Sequence, residues 1–519
     1  MALTDRVELA RRLGWTDPLQ IAASGAAFAR WGPTVAGISA AAAVRHSKRV
    51  AVVDHRGSTT YGALDRESTR LAHGLRSLGL RTGDHLGILC FNHGGFAEAT
   101  IAAAKAGLAV VYLNTGFAPR QLGEVVERER VSALVCDGDF LETVEASGYE
   151  GPVIVADGDS GGHRSLADVR IDGGRLRPSR PVNPVLLTSG TTGTPKGARR
   201  EGRPTGLASA IGLLERIPYE TGDVSVIPTP LFHAWGLAQW MIAVTTASTA
   251  VLVRRFTPDA TLDAVEANRA TVLAVVPIML QRMLSSEDLA ERDLSALRIV
   301  ASSGSALPAQ VATDWMDRSG ENLYNMYGST EVGQATLATP GDLRAAPGTA
   351  GRVVRGSTVR IVDSAGSALT AGEDGLIVVG NDAQFTGYTG GGTKETVAGL
   401  MSSGDVGHFD DDGRLFVTGR ADDMIVSGGE NVFPREVEDL LLACDEIADA
   451  AVYGVADDDF GQRLAATVVL RPGAVADADA IRAVIAGDLA RHKVPRDIAF
   501  VDELPRNATG KLLRAKLTD

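Results

Sequence analysis

The chain has 519 residues, with 51 Lys or Arg against 64 Asp or Glu, and a formal net charge of −13. A chain this acidic has no overall field that favours nucleic acid, so a polyanionic ligand must be held by local groups. Apolar residues make up 45% and charged residues 22%, which excludes bulk disorder, while 59 glycines without a collagen-like period point to turns and ligand-contacting loops.

The N-terminal segment and the cysteines bear on the compartment. Residues 1–15 carry acids and lack the apolar core of a signal peptide. Cys90, Cys136 and Cys444 are far apart and odd in number, so they predict neither a disulfide framework nor a metal-binding spacing. We therefore expect a cytoplasmic protein.

Short β-rich runs alternate with helical stretches through the first half of the chain. This alternation predicts a parallel sheet with helices on both faces, that is, one or two large α/β layers. The runs expected to form strands are 51–55, 85–90, 109–113, 132–136, 152–156, 224–228, 249–253 and 271–277.

The stretch Leu231–Val253 contains no Asp, Glu, Lys or Arg and is long enough to raise the question of a membrane span. It follows Pro230 and contains Gln239 and three threonines. We expect a buried helix followed by a buried strand, and no transmembrane segment.

The pattern changes after about residue 340, where glycine-rich turns separate short strands and predict a small β-subdomain. Beyond Arg420 a compact unit begins, in which Pro434 is expected at the first position of a helix. The predicted fold is an α/β N-terminal lobe of packed sheets with a small β-subdomain, residues 1–420. A small, mobile α+β C-terminal domain is expected over residues 421–519.

The strongest motif is the run Leu186–Gly197, in which a buried strand leads into a loop rich in glycine and hydroxyl residues. Backbone N–H groups, hydroxyls and a lysine in such a loop cradle phosphate oxygens. Pro195 stands before Lys196, where a kinase or ATPase P-loop requires glycine, so that class is disfavoured. A glycine-rich surface turn is the simpler alternative. The candidate phosphate-binding residues are Thr188, Ser189, Gly190, Thr191, Thr192 and Lys196.

Seven further motifs follow this loop in order. They are PLFHAWG (230–236), SSGSALP (302–308), YGSTE (327–331), SGD (403–405), GRADD (419–423), GGEN (428–431) and PRNATGK (505–511). Together the eight motifs closely resemble the acyl-adenylate-forming superfamily of acyl-CoA synthetases, adenylation domains and luciferases, over essentially the whole chain. Any one motif alone is weak evidence, whereas eight in this order are close to decisive.

The resemblance implies a nucleotide site in the middle of the chain. Tyr327, followed by Gly328, would stack on adenine, against the loop formed by Ser303, Gly304 and Ser305. Asp405 and Arg420 would bind the ribose hydroxyls. Thr330 would bind the α-phosphate, and Glu331 would hold Mg²⁺, a cation that prefers carboxylate oxygen.

The resemblance also implies roles near the C-terminus and in the acyl pocket. Lys511 would bridge the attacking carboxylate and the α-phosphate, where two anions must approach each other. Asp422 matches the hinge between the lobes, and Gly428 with Gly429 would let the narrow pantetheine arm of CoA pass. Residues assigned to the acyl pocket are Phe232, His233, Trp235 and Gly304. His233 is also the candidate for gating or positioning substrate, although the residues alone leave a core histidine open.

These motifs imply an ATP- and Mg²⁺-dependent ligase that joins a carboxylic acid to CoA, closest to fatty-acid–CoA ligases and so part of fatty acid metabolism. An enzyme that passes the acyl group to an amine or to a carrier-protein thiol is the first alternative. A nucleotide-binding protein without catalysis is expected to lack Lys511, Glu331 or Asp405, and all three are present. A luciferase-like monooxygenase is a further alternative. The sequence leaves the acid and any homo-oligomer open.

Overall fold

The computed structural model describes residues 3–15, 17–174, 176, 182–188, 195–199, 207–427, 430–457, 461–507 and 510–517. The described residues fall into two compact units. The first unit draws on Met1–Val275, Arg282–Ala301 and Asp382–Thr393, and the second on Val276–Gln281, Ser302–Asn381 and Lys394–Asp519.

The α-helices of the described residues follow one another along the whole chain. They are α1 (Leu3–Arg12), α2 (Pro18–Trp31), α3 (Val35–His46), α4 (Tyr61–Ser77), α5 (Gly94–Ala106), α6 (Pro119–Arg128), α7 (Leu141–Ala146), α8 (Leu166–Val169), α9 (Leu207–Arg216), α10 (Ala234–Thr245), α11 (Pro258–Ala267), α12 (Pro277–Leu284), α13 (Ala309–Ser319), α14 (Pro340–Ala345), α15 (Pro434–Leu442) and α16 (Ala478–Asp488).

The strands of the described residues mostly alternate with these helices up to about residue 330, and beyond it most of them follow one another in runs, separated by α14, α15 and α16. They are β1 (Val50–Asp54), β2 (Gly57–Thr60), β3 (His85–Leu89), β4 (Ala109–Tyr112), β5 (Val131–Asp137), β6 (Val153–Asp157), β7 (Arg164–Ser165), β8 (Val185–Leu187), β9 (Gly197–Arg199), β10 (Val224–Ile227), β11 (Thr249–Leu252), β12 (Val272–Val275), β13 (Ile299–Ser302), β14 (Leu323–Ser329), β15 (Gly333–Ala338), β16 (Arg352–Val353), β17 (Ser357–Val362), β18 (Gly375–Asn381), β19 (Gly387–Tyr388), β20 (Thr396–Val397), β21 (Leu400–Phe409), β22 (Leu415–Arg420), β23 (Ile425–Ser427), β24 (Glu430–Val432), β25 (Ile447–Asp457), β26 (Gly461–Leu470) and β27 (Asp497–Phe500).

Two largely parallel sheets form the first unit. One has the strand order β13-β12-β10-β11-β1-β2, and the other has the order β19-β9-β8-β4-β3-β5-β6-β7. Strands β4 and β12 are buried at every position, as expected for parallel strands covered by helices on both faces. Apolar side chains between the sheets and helices form the cores of this unit. The parallel arrangement brings the carboxyl ends of β3, β4, β5 and β8 to one edge.

The second unit is built from antiparallel strands and a small C-terminal domain. Strands β14, β15 and β16 form antiparallel pairs, and β17-β18-β21-β20 form a sheet to which β22 adds on β21. The C-terminal domain has the order β24-β23-β26-β25, with β27 parallel to β26, and α15 and α16 supply residues to its core. Pro434 occupies the start of α15, as predicted, because its missing N–H is not needed there.

These elements confirm the predicted fold class: a large α/β lobe, a small β-subdomain and a small α+β C-terminal domain. The apolar stretch after Pro230 forms α10 and β11, also as predicted. None of the helices that the structure describes is long and apolar enough to span a bilayer. The domain boundary near Arg420 stays a prediction.

Candidate active site

The two ends of the predicted phosphate loop, Thr188 and Lys196, lie next to each other in the first unit, and we call this pair of residues the neck of the loop. Strand β8 ends at Leu187 and pairs with Gly197 of β9. At the next position, the N–H and the hydroxyl of Thr188 both donate to the carbonyl of Lys196, over 2.9 and 3.1 Å. The neck therefore fixes where the loop leaves and rejoins the sheet. The loop residues Ser189, Gly190, Thr191 and Thr192 lie outside the described residues.

Lys196 lies beside the short edge strand β19. Tyr388 of β19 pairs with Ala198 of β9, and the Lys196 ammonium lies 5.5 Å from the centroid of the Tyr388 ring. A cation over an aromatic face at this distance is attracted by the ring quadrupole. The ring thus restricts the lysine side chain at the neck.

A buried glutamate, Glu129, belongs to a hydrogen-bond network that contacts the residues on either side of Lys196. The Glu129 side chain is 1% exposed and accepts from Arg128 Nε over 2.8 Å and from the Thr389 hydroxyl over 2.6 Å. Arg128 Nη2 also donates to the Pro195 carbonyl over 2.6 Å, and the Thr389 N–H donates to the Gly197 carbonyl over 2.9 Å. The sequence analysis missed this network, because Glu129 and Thr389 are 260 residues apart and no local motif marks either.

The predicted acyl-pocket residues of the first unit lie at the start of α10. Phe232 is buried, and its ring centroid lies 4.4 Å from that of His233. Trp235 is buried and donates from Nε1 to the Val275 carbonyl over 2.9 Å. His233 caps α10 through its backbone alone, and its Nε2 has no hydrogen-bond partner among the described residues. Phe232 and His233 thus form a pair of rings at the start of α10, and Trp235 is buried two residues further along the chain.

Burial lowers the pKa of His233 from 6.5 to about 4, because the imidazolium loses its hydration there. Between pH 6.5 and 4 the unfolded chain binds more protons at this site, so stability falls as the pH drops through this window. We expect His233→Asn to remove this contribution, which is at most about 1.4 kcal/mol per pH unit. Urea unfolding at pH 7, 6, 5 and 4 measures the slope, and His163→Asn, at an exposed histidine, is the control. An unchanged slope in His233→Asn would contradict the assignment.

In the second unit, the predicted loop of Ser303, Gly304 and Ser305 follows β13. The Ser303 hydroxyl donates to the Met326 carbonyl on β14 over 2.8 Å. Gly304 has φ +95°, and a Cβ there would lie 3.3 Å from Val276. The turn therefore depends on a residue without a side chain, and Ser305 beyond it is exposed.

Tyr327 and Asp405 are 78 residues apart in the chain and adjacent in the second unit. The Tyr327 hydroxyl donates to Asp405 Oδ2 over 2.5 Å, and burial together with the nearby Asp405 carboxylate raises the pKa of this tyrosine well above its usual range. Gly328 permits the close approach of β15, because a Cβ there would lie 2.2 Å from the Gly333 carbonyl. The two predicted residues thus form one hydrogen-bonded unit.

Arg420 extends this unit. Its Nη1 donates to Asp405 Oδ1 over 3.3 Å, and its Nε and Nη2 donate to the two oxygens of Asp422 over 2.8 and 3.0 Å. These hydrogen bonds raise the pKa of Arg420 and lower that of Asp422. Gly404 has φ +82°, and a Cβ there would lie 3.2 Å from the Arg420 guanidinium. The structure therefore joins Tyr327, Asp405, Arg420 and Asp422 into one chain of polar contacts.

Thr330 and Glu331 occupy the turn between β14 and β15. The Ser329 hydroxyl accepts from the Glu331 N–H over 3.2 Å and donates to Glu331 Oε2 over 3.0 Å. The ladder between β14 and β15 shifts register next to Gly328, just before this turn. The shift and the serine together orient the Glu331 carboxylate.

Lys394 is a cation of this site that the sequence analysis missed. Its ammonium donates over 2.6 Å to the carbonyl of Ser403, which lies on β21 two residues before Asp405. Burial lowers the pKa of Lys394, and the acidic groups of Glu331 and Asp405 oppose that shift. The β-rich segment around it carried no charge pattern that would have distinguished this lysine from a surface one.

The loop that carries Lys511 packs on the short segment Val276–Gln281 within the second unit. Gly510 has φ +75°, and a Cβ there would lie 2.2 Å from Ile278 Cγ2 and 3.8 Å from Val276 Cγ2. Val276 is also the residue against which Gly304 packs. One segment therefore contacts two of the predicted motifs. Gly428 and Gly429 lie outside the described residues.

Cys90, His93 and Asp137 form a buried group whose possible ligand atoms lie within 4.8 Å of one another, although the spacing of the cysteines predicted no such group. His93 Nδ1 accepts from the Gly95 N–H over 3.0 Å, and Nε2 lies 2.7 Å from Asp137 Oδ1. Because Nδ1 is an acceptor, the neutral ring carries its proton on Nε2 and donates it to Asp137. Metal binding through Nε2 requires the other tautomer, so this group is best explained as a buried cap of α5.

Comparisons with known proteins agree along nearly the whole chain. Residues 39–389 match the AMP-binding enzyme family, and residues 436–511 match the AMP-binding enzyme C-terminal domain. A feruloyl-CoA synthase from an Amycolatopsis species is 33% identical over 487 residues, which cover 91% of this chain and 96% of that protein. The fatty acid–[acyl-carrier-protein] ligase ScoC of Streptomyces coeruleorubidus is 30% identical over 482 residues, which cover 90% and 93%.

A solved structure supports the same fold. The amide bond synthetase McbA from Marinactinospora thermotolerans has a TM-score of 0.81 at 28% identity, with 93% of this chain and 100% of that chain covered. The names of these three proteins specify three kinds of product: feruloyl-CoA, a fatty acid joined to an acyl-carrier protein, and an amide bond.

Proposed function

Because the chain belongs to the AMP-binding enzyme family, we propose that it is an AMP-forming acid–thiol ligase. It activates a carboxylic acid with ATP, releases pyrophosphate, and transfers the acyl group from the acyl-adenylate to the thiol of CoA. The observation that carries this proposal is the hydrogen-bonded set of Tyr327, Asp405 and Arg420, in the same unit as the Lys511 loop.

The nucleoside is assigned to this set. Tyr327 stacks on adenine, and the loop Ser303–Ser305 covers the same base. A carboxylate has about four acceptor positions. In Asp405, the Tyr327 hydroxyl occupies one of these positions and Arg420 occupies another. The remaining acceptors of Asp405 suit two ribose hydroxyls, with Arg420 donating beside them.

The phosphates are assigned to hydroxyl, backbone and cationic donors. Thr330 binds the α-phosphate, and the loop from Thr188 to Lys196 holds the β- and γ-phosphates. Glu331 fits Mg²⁺ because carboxylate oxygen is the ligand this cation prefers. When bound, Mg²⁺ would offset negative charge on the phosphate oxygens.

In the first half-reaction a carboxylate oxygen bonds to the α-phosphorus, the bond from that phosphorus to the bridging oxygen breaks, and pyrophosphate leaves with the electron pair. Lys511 lies between the two anions, offsets their repulsion and orients the attack. In the second half-reaction the thiol of CoA attacks the acyl carbon, the thiol loses its proton, and AMP leaves.

The acid is assigned to Phe232, His233 and Trp235 of the first unit. The buried aromatic side chains and the neutral imidazole favour an apolar acid, either fatty or aromatic, over a dicarboxylate. The names of the relatives include one acid of each kind, ferulic acid and a fatty acid. An amine or a carrier-protein thiol is the alternative acceptor, supported by the names of two of the three similar proteins.

We assign the movement of the C-terminal domain to a hinge at Asp422, and we propose the domain boundary between residues 420 and 421. Rotation there withdraws Lys511 after adenylation and brings Gly428 and Gly429 to the site, where the absence of side chains leaves room for the pantetheine arm. The ion pair of Arg420 with Asp422 lies at this hinge.

The deciding experiment measures pyrophosphate release with a panel of fatty and aromatic acids, each supplied with CoA, with an amine or with neither. We expect acid-dependent pyrophosphate release in every case and a thioester product only with CoA. Pyrophosphate release without any thioester would exclude the CoA ligase and leave the amide or carrier-protein alternative.

A further inference from the structure

The loop that carries Lys511 is closed on itself by hydrogen bonds between its ends. The Asn507 N–H donates to the Lys511 carbonyl over 2.9 Å, and the Lys511 N–H donates to Asn507 Oδ1 over 2.9 Å. Arg506 and Leu512, one residue further out, pair as an isolated β-bridge. These contacts hold the two ends of the loop together, and the position of Lys511 depends on how those ends are attached to the domain.

Arg506 provides that attachment. Its Nη1 donates to the Gly510 carbonyl over 2.8 Å, one residue before Lys511. Its Nη2 donates to both carboxylate oxygens of Asp449, over 2.8 and 2.9 Å, and its Nε donates to Oδ2 over 3.1 Å. The side chains of Arg506 and Asp449 are 19% and 14% exposed, so solvent screens the pair only partly.

Asp449 lies near the start of a long strand, directly after a shift of register between Ile447 and Asp449. It is part of β25, which pairs with β26 from Ile447 to Asp457 in the longest ladder of the C-terminal domain that the structure describes. Its neighbours Ile447 and Ala450 belong to the core of that domain. Arg506 thus connects a strand fixed by its ladder and its core to the backbone next to Lys511.

We propose that Arg506 and Asp449 are positioning residues for the adenylation half-reaction. They hold the Lys511 loop in the position from which the Lys511 ammonium reaches the reacting oxygens. This inference rests on the proposed function, because it assigns a task to the supports of Lys511. A guanidinium fork gripping a carboxylate constrains direction as well as distance, which a single lysine contact does not. A displacement of about 1 Å at a reacting group is enough to cost about 10²-fold in rate.

The two half-reactions respond differently to this pair. Arg506, Asp449 and Lys511 all belong to the C-terminal domain, so the pair moves with the loop when that domain rotates. Thioester formation takes place after Lys511 has left the active site, so it does not depend on the position of the Lys511 loop. A purely structural pair would affect both half-reactions alike.

The experiment compares Arg506→Met, Arg506→Lys and Asp449→Asn in the full chain. Adenylation is followed by pyrophosphate release with a saturating acid, and the second half-reaction by thioester formation from supplied acyl-adenylate and CoA. We expect Arg506→Met to lower kcat of adenylation about 10- to 100-fold with KM for ATP within about twofold. Thioester formation should stay within about twofold of wild type.

Arg506→Lys and Asp449→Asn weaken the pair less than Arg506→Met does, and they keep the test valid if Arg506→Met does not fold. Lysine keeps the charge opposite Asp449 but cannot grip it and the Gly510 carbonyl at once, so its loss should be intermediate. Arg463→Met is the matched control, because Arg463 also pairs with an aspartate, Asp497, and also donates to a backbone carbonyl in the same domain. It should leave both half-reactions unchanged.

The outcomes separate this inference from the proposed function. Wild-type protein that releases no pyrophosphate, or Lys511→Ala that still adenylates, would refute the proposed function itself. With those two results as expected, wild-type adenylation in the Arg506 variants would overturn the positioning role. An equal loss of both half-reactions in the Arg506 variants would also overturn it.

Discussion

Replacing Lys511 with alanine is expected to lower the rate of adenylation about 10²- to 10³-fold and to leave thioester formation from supplied acyl-adenylate within about twofold of wild type. The first number is what removal of one group that stabilises developing charge costs in other enzymes. Charge builds on the phosphoryl oxygens only while the carboxylate attacks phosphorus, so the thiol step does not need this cation. Pyrophosphate release and thioester formation, measured separately, check the result.

The matched control for this variant is Lys516→Ala, which removes the same charge at an exposed lysine five residues away. It should leave both half-reactions unchanged, because its position places no ammonium at the Lys511 loop. Equal losses of adenylation in the two variants would show that the net charge of the tail matters and that the position of Lys511 does not.

Local motifs predicted much of this site because the chemistry needs particular residues at short spacing. The strand that ends at Leu187, the turn at Gly304 and the turn that carries Glu331 each lie where the sequence pattern expects them. The strands were equally readable, since buried parallel strands give short apolar runs. Each of these features depends on a few consecutive residues, and that is the range over which a sequence pattern carries information.

The supports of the site could not be predicted in this way. Glu129 meets Thr389, and Asp449 meets Arg506. Which groups meet depends on the order of strands within a sheet, and the order β8-β4-β3-β5 does not follow the chain. The same order brings Cys90 of the loop after β3 next to Asp137 of β5, a grouping that the spacing of the cysteines did not suggest.

Replacing Gly510 with alanine should lower adenylation at least about 10-fold and leave thioester formation nearly unchanged. A Cβ at this position would lie 2.2 Å from Ile278 Cγ2, next to the branch point of a stiff side chain. The contact cannot be relieved by a rotamer change at a flexible end, so the loop itself must move away from Val276–Gln281. Lys511 moves with the loop, and the distance from its ammonium to the reacting oxygens increases.

Gly473→Ala separates this clash from the backbone strain that alanine causes at positive φ. Gly473 has φ +79°, close to the +75° of Gly510, but a Cβ there meets nothing within 4 Å. Both variants should therefore lose about 1–2 kcal/mol of stability, since a side chain in the left-handed region costs about that much. Only Gly510→Ala should lose adenylation. Thermal unfolding and the two half-reaction assays distinguish the two causes. An equal loss of adenylation in Gly473→Ala would mean that general destabilisation controls the first half-reaction, and that the contact of the Lys511 loop with Ile278 does not.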